Sequence, residues 1–328
     1  MIGRSSASSA FRAKYGKYLP HQRFNVDQVP LPFCNDMEDT YEEVGNKRVA
    51  INQNGPSLGK RQCTGNVCFR GELPDPPEDP AALAIFKKYF LEQPPASLIF
   101  RGRGLRISKE EINAYPPGLV VLWQDKAWVD RPTAVRWAMQ VWKPFILSEI
   151  AAGVAGAEDR YLLFQDNLDS QLQPTYLDYL RNDCATDNHQ VPPNKTDQVQ
   201  PVDRGLGRHI KIYVGQAMDA WLEDDVNLEK WENNELTASA RRILLANWYY
   251  DAVKRALNGT AKKKYFEHAG MLPPEPTHHT PTTNPPYPSH THTHTQTHQL
   301  APTCTPPHTH QYLTCPNPSP SKQPFHAW

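Results

Sequence analysis

Tyr161-Leu162-Leu163-Phe164 is a run of four apolar residues, too short for a helix and with no polar residue alternating through it. A strand of that kind has both faces covered, as an inner strand does in a sheet with helices on either side. The segments around it supply the partners. Residues 24–33 alternate apolar and polar positions until Pro30 and Pro32 stop the pattern. Residues 47–51 and 62–69 read as two further strands, with the turn Asn54-Gly55-Pro56 between them, and this suggests an antiparallel meander. Residues 72–82, with Pro74, Pro76, Pro77 and Pro80, read as a loop or insertion, and residues 97–100 and 119–123 as short apolar strands.

Helical periods enter later in the chain. Residues 107–115 form a short helix capped by Ser108, with Glu111 three positions on. Over 133–152, Trp137, Val141 and Phe145 recur every four residues, and Pro144 predicts a kink. Residues 175–182 read as a helix. Leu206, Ile210, Val214, Ala217 and Trp221 make one apolar stripe; Leu236, Ala240, Ile243 and Leu244, with Trp248 a turn on, make another over 235–257. Strands first, then strands alternating with helices, then helices: the pattern is an α/β sheet with helices packed against it.

Composition divides the chain. Only 10 of the last 56 residues are apolar, against about 118 of the 272 before them, so residues 273–328 cannot bury a core. This low-complexity His/Thr/Pro-rich tail is expected to be disordered; its imidazoles can take zinc, copper or nickel, and the plain reading is a solvated tail. Residues 1–20 are expected to be poorly ordered. No apolar run approaches the ~18–20 residues of a membrane span, and residues 1–17 hold no apolar core of a secretory signal. The expectation is a soluble, non-secreted, reduced protein. Cysteines at 34, 63, 68, 184, 304 and 315 form neither a disulfide framework nor a zinc pair, and Cys63 and Cys68 read as buried thiols. With 35 basic and 35 acidic side chains the whole chain offers no field to gather nucleic acid. Local clusters stand at Arg101, Arg103 and Arg106, at Arg204, Arg208 and Lys211, and at Lys262 to Lys264; each alone reads as a solvated face.

Three aspartates stand in telling contexts. Asp27 sits inside a strand-like run, Asp166 directly follows the most buried-looking strand, and Asp203 precedes the first long amphipathic helix. Ligands of open α/β sheets bind at the carboxyl ends of strands, and an acid is favoured at a helix start. Each has an ordinary reading: Asp27 paired with an arginine, Asp166 starting a turn with Asn167, Asp203 complementing a helix dipole. Brought together, carboxylates repel unless divalent cations lie between them, and hard oxygen ligands suit Mg²⁺ or Mn²⁺.

Residues Asn25-Val26-Asp27-Gln28-Val29-Pro30-Leu31-Pro32-Phe33 resemble the first-aspartate strand of the DDE superfamily endonucleases of pogo, tigger and jerky type, which are transposases and proteins domesticated from them. Further matching pieces follow in order: Lys60 to Thr64, Ile99 to Gly104, Ala127 to Asp130, Phe164-Gln165-Asp166-Asn167, and Asn194 through Pro201-Val202-Asp203-Arg204-Gly205. The resemblance implies an RNase H-like mixed sheet over residues 21–225, a helical extension over 226–272, and metal-dependent phosphoryl transfer on DNA in the nucleus. It implies that Asp27 bridges two Mg²⁺ or Mn²⁺ ions, with Asp166 and Asp203 each helping to hold one. Arg101, Arg103, Arg208 and Lys211 are then candidates for DNA-backbone contacts. Asp130, Asp169 and Asp197 are read as supporting or surface acids.

The sequence departs from the family pattern in places. Only 26 residues precede Asp27, too few for a helix-turn-helix module, so sequence-specific DNA recognition is expected to be either missing or supplied by a separate DNA-binding partner; a homodimer is the other partner the reading allows. Gln171 stands where relatives of this type often carry histidine. Two functional classes stay open: a DDE endonuclease or transposase catalytic domain, and a non-catalytic DNA- or chromatin-associated protein derived from one.

Overall fold

Strand β1, Arg23–Leu31, lies near the middle of a six-stranded sheet because it can bury both faces. Its even residues Phe24 and Val26 join one apolar cluster; its odd residues Val29 and Leu31 join another on the opposite side. The computed structural model of the chain describes residues 16–31, 63–156, 158–191, 199–259 and 261–272. Around β1 stand β2 (Cys63–Arg70), β3 (Ser97–Arg101), β4 (Val120–Gln124), β5 (Tyr161–Gln165) and β6 (Thr186–Gln190), in the spatial order β4-β3-β2-β1-β5-β6. β2 runs antiparallel to both β1 and β3, while β3 with β4, β1 with β5, and β5 with β6 are parallel. This is the mixed RNase H-like sheet, with a further strand, β4, beside β3. An antiparallel meander is present as β1-β2-β3, with β2 paired directly to β1 and Ser97–Arg101 as its third strand; the strand expected at 47–51 as its middle member, and its turn, lie outside the described residues.

One layer is built from α3 (Arg131–Trp137), α4 (Lys143–Ala151) and α5 (Pro174–Asp183). A π-helical turn, Ala138–Trp142, joins α3 to α4. It relieves the expected proline defect: Pro144 has no N–H for the carbonyl four residues back, and the widened turn carries Lys143 N to Ala138 O instead. The turn also presents Trp142 to the sheet, where its Nε1 donates to Thr186 Oγ1 at 2.8 Å. Beneath it, Phe24 packs edge-on against Trp142 and Phe145 with centroids 5.0 and 5.4 Å apart.

The opposite layer is α6 (Gly207–Leu222), α8 (Ala238–Leu257) and α9 (Ala261–His268), with α7 (Asp225–Glu232) beside them. On α6 the buried stripe is Leu206, Ile210, Val214 and Met218, an unbroken four-residue spacing; Ala217 and Trp221 stand at its margin. On α8 the buried face is Leu245, Ala246, Tyr249, Ala252, Val253 and Ala256, not the expected Leu236–Leu244 set. Ile243 and Leu244 are only half-buried.

Two elements escape pattern reading. Helix α1, Pro80–Tyr89, lies where the prolines suggested a loop: Asp79 caps it by accepting from Ala82 N at 2.8 Å, and Pro80 occupies the first helical position. Edge strand β6 has the polar sequence Thr-Asp-Asn-His-Gln and little strand propensity. It is held by its ladder to β5 and by Asp187, which Arg160 binds through two nitrogens and Tyr18 Oη meets as well. No helix among the described residues is long and apolar enough to cross a membrane. Cys63, Cys68 and Cys184 are free and buried, as expected of the first two.

One buried ion pair fastens the sheet to the first layer. Arg70, at the end of β2, meets Glu149 of α4 at 2.7 Å with both side chains wholly enclosed, and three backbone carbonyls, of His21, Leu91 and Glu92, take its remaining donors. Burial pushes the Glu149 carboxyl up and Arg70 pulls it back. Glu149→Leu alone should cost about 3–5 kcal/mol in urea denaturation, because it strands the guanidinium, and adding Arg70→Met should recover most of that loss.

Gly65 sits where Tyr249 lies flat on β2; a Cβ there would stand 2.4 Å from the ring. Gly65→Ala should destabilise by about 1–3 kcal/mol in the same assay.

Candidate metal and nucleic-acid site

The parallel ladder between β1 and β5 has three pairs: Arg23↔Leu162, Phe24↔Leu163 and Asn25↔Phe164. Beyond it β1 continues to Leu31 on β2 alone, while β5 ends at Gln165. Strand order reverses here, since β2, β3 and β4 lie to one side of β1 and β5, β6 to the other. The carboxyl ends of strands at such a reversal leave a crevice. Asp27 lies two residues beyond Asn25, and Asp166 two beyond Phe164, so the period of a strand sets both at one level.

They also share a face. Asp27 follows the odd side of β1 with Val29 and Leu31; Asp166 follows the side of Leu162 and Phe164; all four apolar residues belong to the cluster under α6 and α8. Asp203 comes down on that face from the helix layer, beside Val202 of the same cluster. It lies in a π-type turn, Val202–Leu206, broken at Gly205, whose φ of 143° is closed to other residues and whose missing Cβ admits Tyr265 at 2.9 Å. That break lets α6 begin four residues after Asp203.

The electrostatics register the convergence. The Asp27 carboxyl is pushed up to about 8, first by burial, then by the negative charge of Asp203, with Asp166 adding to it. The Gln28 backbone N–H, with a larger effect than Asp166, and the Gln200 amide pull the other way. Gln200 is fully buried beside Asp27, yet neither its Oε1 nor its Nε2 makes a well-formed hydrogen bond. Asp166 accepts from Asn167 N at 2.7 Å, and Asn167 Nδ2 donates to Val191 O, tying the loop after β5 to the end of β6. Asp203 is exposed.

Among the described residues no three His, Cys, Asp or Glu side chains stand together closely enough to form a metal-holding group. In donor chemistry the set nonetheless fits a hard divalent cation. Three carboxylates share one face, burial and the charge of Asp203 favour the protonated form of one of them, and a buried amide beside it makes no well-formed hydrogen bond.

The cationic candidates divide. Arg208 and Lys211 are exposed on the first turns of α6, close in sequence to Asp203, with Arg204 beside it. Arg101 ends β3 and Arg103 follows it, both exposed on the same carboxyl edge but two strands from β1; Arg103 makes a loose, open pair with Asp125 at 3.4 Å. Asp130 caps α3 through Thr133 N, and Asp169 pairs with Arg131 in solvent. Asp197 and the His-rich tail lie outside the described residues. Gln171 is buried with its Oε1 unpartnered, while its backbone carbonyl accepts from Gln165. Sequence reasoning gave no role to Asn25 or Gln200; the available signal was a polar residue at an inward position of an otherwise apolar run.

A family model described as DDE superfamily endonuclease matches residues 91–257, a span that holds Asp166 and Asp203 but not Asp27. Among solved structures, the chain is similar to a pre-cleavage Mos1 transpososome at 12% identity, covering 77% of this chain and 61% of that one, TM-score 0.40. A Mos1 mariner paired-end complex with Mn shows 12% identity over 78% and 62%, TM-score 0.38, and a Mos1 strand transfer complex 12% over 81% and 59%, TM-score 0.34. The chain thus spans about three fifths of the length of these solved chains. None of the curated proteins matches it.

Asp27 gives a pH dependence with a definite sign. Its folded value, about 8, lies above the ordinary 3.8, so its contribution to stability is present below pH 4 and is lost as pH rises through 8. In chelator the unfolding free energy should fall across that window, by an amount on the order of a few kcal/mol measured in urea, and Asp27→Asn should flatten the profile. A parent profile already flat between pH 4 and 8 would show that Asp27 is not crowded by the other two acids.

Proposed function

The chain belongs to the DDE superfamily endonucleases, and from that membership we propose that it is a transposase-type catalytic domain that cuts and joins DNA phosphodiesters with two divalent cations. One observation carries the reading: carboxylates from β1, from the end of β5 and from the turn before α6 share one face at the strand-order reversal, and Asp27 feels both others. A protein that only bound DNA would gain nothing from gathering three like charges there.

Asp27, Asp166 and Asp203 would hold Mg²⁺ or Mn²⁺. Such ions, when bound, activate a water or a 3′-hydroxyl for attack and stabilise the departing oxygen. The chain's own part is placement and charge. Asp27, crowded on β1, gives up its proton to serve as a ligand; Asp166 stands on a loop pinned by Asn167 to Val191 O; Asp203 stands where Gly205 turns the chain into α6. Arg208 and Lys211 offer phosphate contacts beside the acids, and Arg101 and Arg103 extend the contact along the carboxyl edge. The substrate is DNA, and work in the nucleus is supported by membership of the family alone.

A second reading, a non-catalytic DNA- or chromatin-associated protein that keeps the fold, draws on the fact that the three carboxylates do not by themselves close into a metal-holding group among the described residues. Calorimetric titration of Mn²⁺ into the full chain and its Asp27→Asn, Asp166→Asn and Asp203→Asn variants separates the two. The tail histidines are common to all four proteins, so differences report on the acids alone. The enzyme reading expects each variant to stay folded and to lose at least about tenfold in affinity at one shared site. Full Mn²⁺ affinity in Asp166→Asn would sink the site assignment.

Phosphate contacts make a separate prediction. Charge removal at Arg208 and Lys211 together should weaken binding to duplex DNA of any sequence and reduce the slope of affinity against salt by about two, measured by fluorescence anisotropy.

A further inference from the structure

Asn25 is fully buried on β1, and its two amide atoms reach the two other segments of the site. Its Nδ2 donates to Phe164 O at 3.1 Å, and its Oδ1 accepts from Val202 N at 3.0 Å. Asn25 precedes Asp27 by two residues, Phe164 precedes Asp166 by two, and Val202 precedes Asp203 by one. We infer that Asn25 is a positioning residue: its carboxamide clips β1, β5 and the turn before α6 together, and so sets the three carboxylates at one level. This rests on the reading of those acids as one cation site.

The chemistry leaves few substitutes for this arrangement. The ladder between β1 and β5 ends at Asn25↔Phe164, so backbone bonds no longer hold those strands in step where the acids begin. Val202 approaches from the helix layer, out of the plane of the sheet, where no ladder bond can reach it. A donor and an acceptor on one short, rigid side chain meet both needs at once. An apolar residue of equal size would leave the Val202 N–H buried without its partner.

A structural role and a positioning role make different predictions. Ser97→Ala serves as the comparison, because Ser97 Oγ is a buried donor to Asn66 O at 2.9 Å within the sheet and touches none of the three acid-bearing segments. Full-length Asn25→Leu, Asn25→Thr and Ser97→Ala are each titrated with Mn²⁺ in a calorimeter, and exchange of the Val202 amide proton is followed without metal. Asn25→Leu is expected to weaken Mn²⁺ binding about tenfold or more and to expose the Val202 amide; Ser97→Ala should change neither beyond about twofold, although both lower the melting temperature. Asn25→Thr keeps one hydrogen-bonding group and should fall between, and it carries the test if the leucine variant does not fold. Parent-like Mn²⁺ affinity and Val202 protection in a folded Asn25→Leu overturn the clip. If the parent itself binds no Mn²⁺, the cation-site reading fails, and Val202 exchange alone decides: protection lost in Asn25→Leu but kept in Ser97→Ala upholds the clip, and protection kept in both overturns it.

Discussion

The sheet is continuous because of three residue pairs. Arg23, Phe24 and Asn25 opposite Leu162, Leu163 and Phe164 are the ladder that joins β5 and β6 to the four strands around β2. Three pairs are few for a join on which both halves depend, and each of the three β1 residues is tied again by its side chain. Arg23 donates to the carbonyls of Tyr18 and Met271; Phe24 is packed by Trp142, Phe145 and Tyr161; Asn25 reaches Phe164 and Val202. The strands can part immediately beyond this reinforced patch without losing register. That parting is what opens the crevice in which Asp27 and Asp166 sit.

The protein handles buried charge in two opposite ways within a few residues of β1. At Phe24↔Arg70, a guanidinium is enclosed with its carboxylate, two more aromatic faces and three carbonyls, so every donor is met and the cost of desolvation is offset. At Asp27, a half-buried carboxyl feels the charge of two more carboxylates, with no ion pair to a cation among the described side chains. The first arrangement fixes a helix to the sheet. The second is costly to a folded chain unless it serves a ligand, which is why it points to function where the first does not.

Much of this was legible in the sequence where hydrophobic period and position speak together. The run at Tyr161–Gln165 announced an inner strand, Ser108 with Glu111 announced a capped helix, and the acids lay inside a strand, just past a strand end and before a helix. The misreadings have physical causes. Helix α1 hid behind prolines, which are as much at home in loops as at a helix start, and its real signal was Asp79 before Pro80. β6 carries no strand propensity of its own and exists through Asp187 and its neighbour β5. On α8 the inward face includes small residues, Ala246, Ala252 and Ala256, while larger Ile243 and Leu244 stay half-exposed, so size misled the choice of face. The three acids could be named from sequence; their common level could not, because it depends on where a ladder stops and on what a single asparagine reaches.

The crowding at Asp27 also says what a cation must do to enter. Without one, the site relieves repulsion by keeping a proton on Asp27, the most enclosed of the three, while Asp203 stays in contact with solvent. Were the three acids to hold a cation as proposed, the cation and that proton would compete for the same oxygens, binding would release the proton, and affinity would rise with pH until Asp27 is ionised unaided. The competition favours a small, hard, doubly charged ion, because one elementary charge does not balance three carboxylates. Gln200, fully buried beside the contested carboxyl, makes no well-formed hydrogen bond, and its amide acts on Asp27 only in favour of the ionised form.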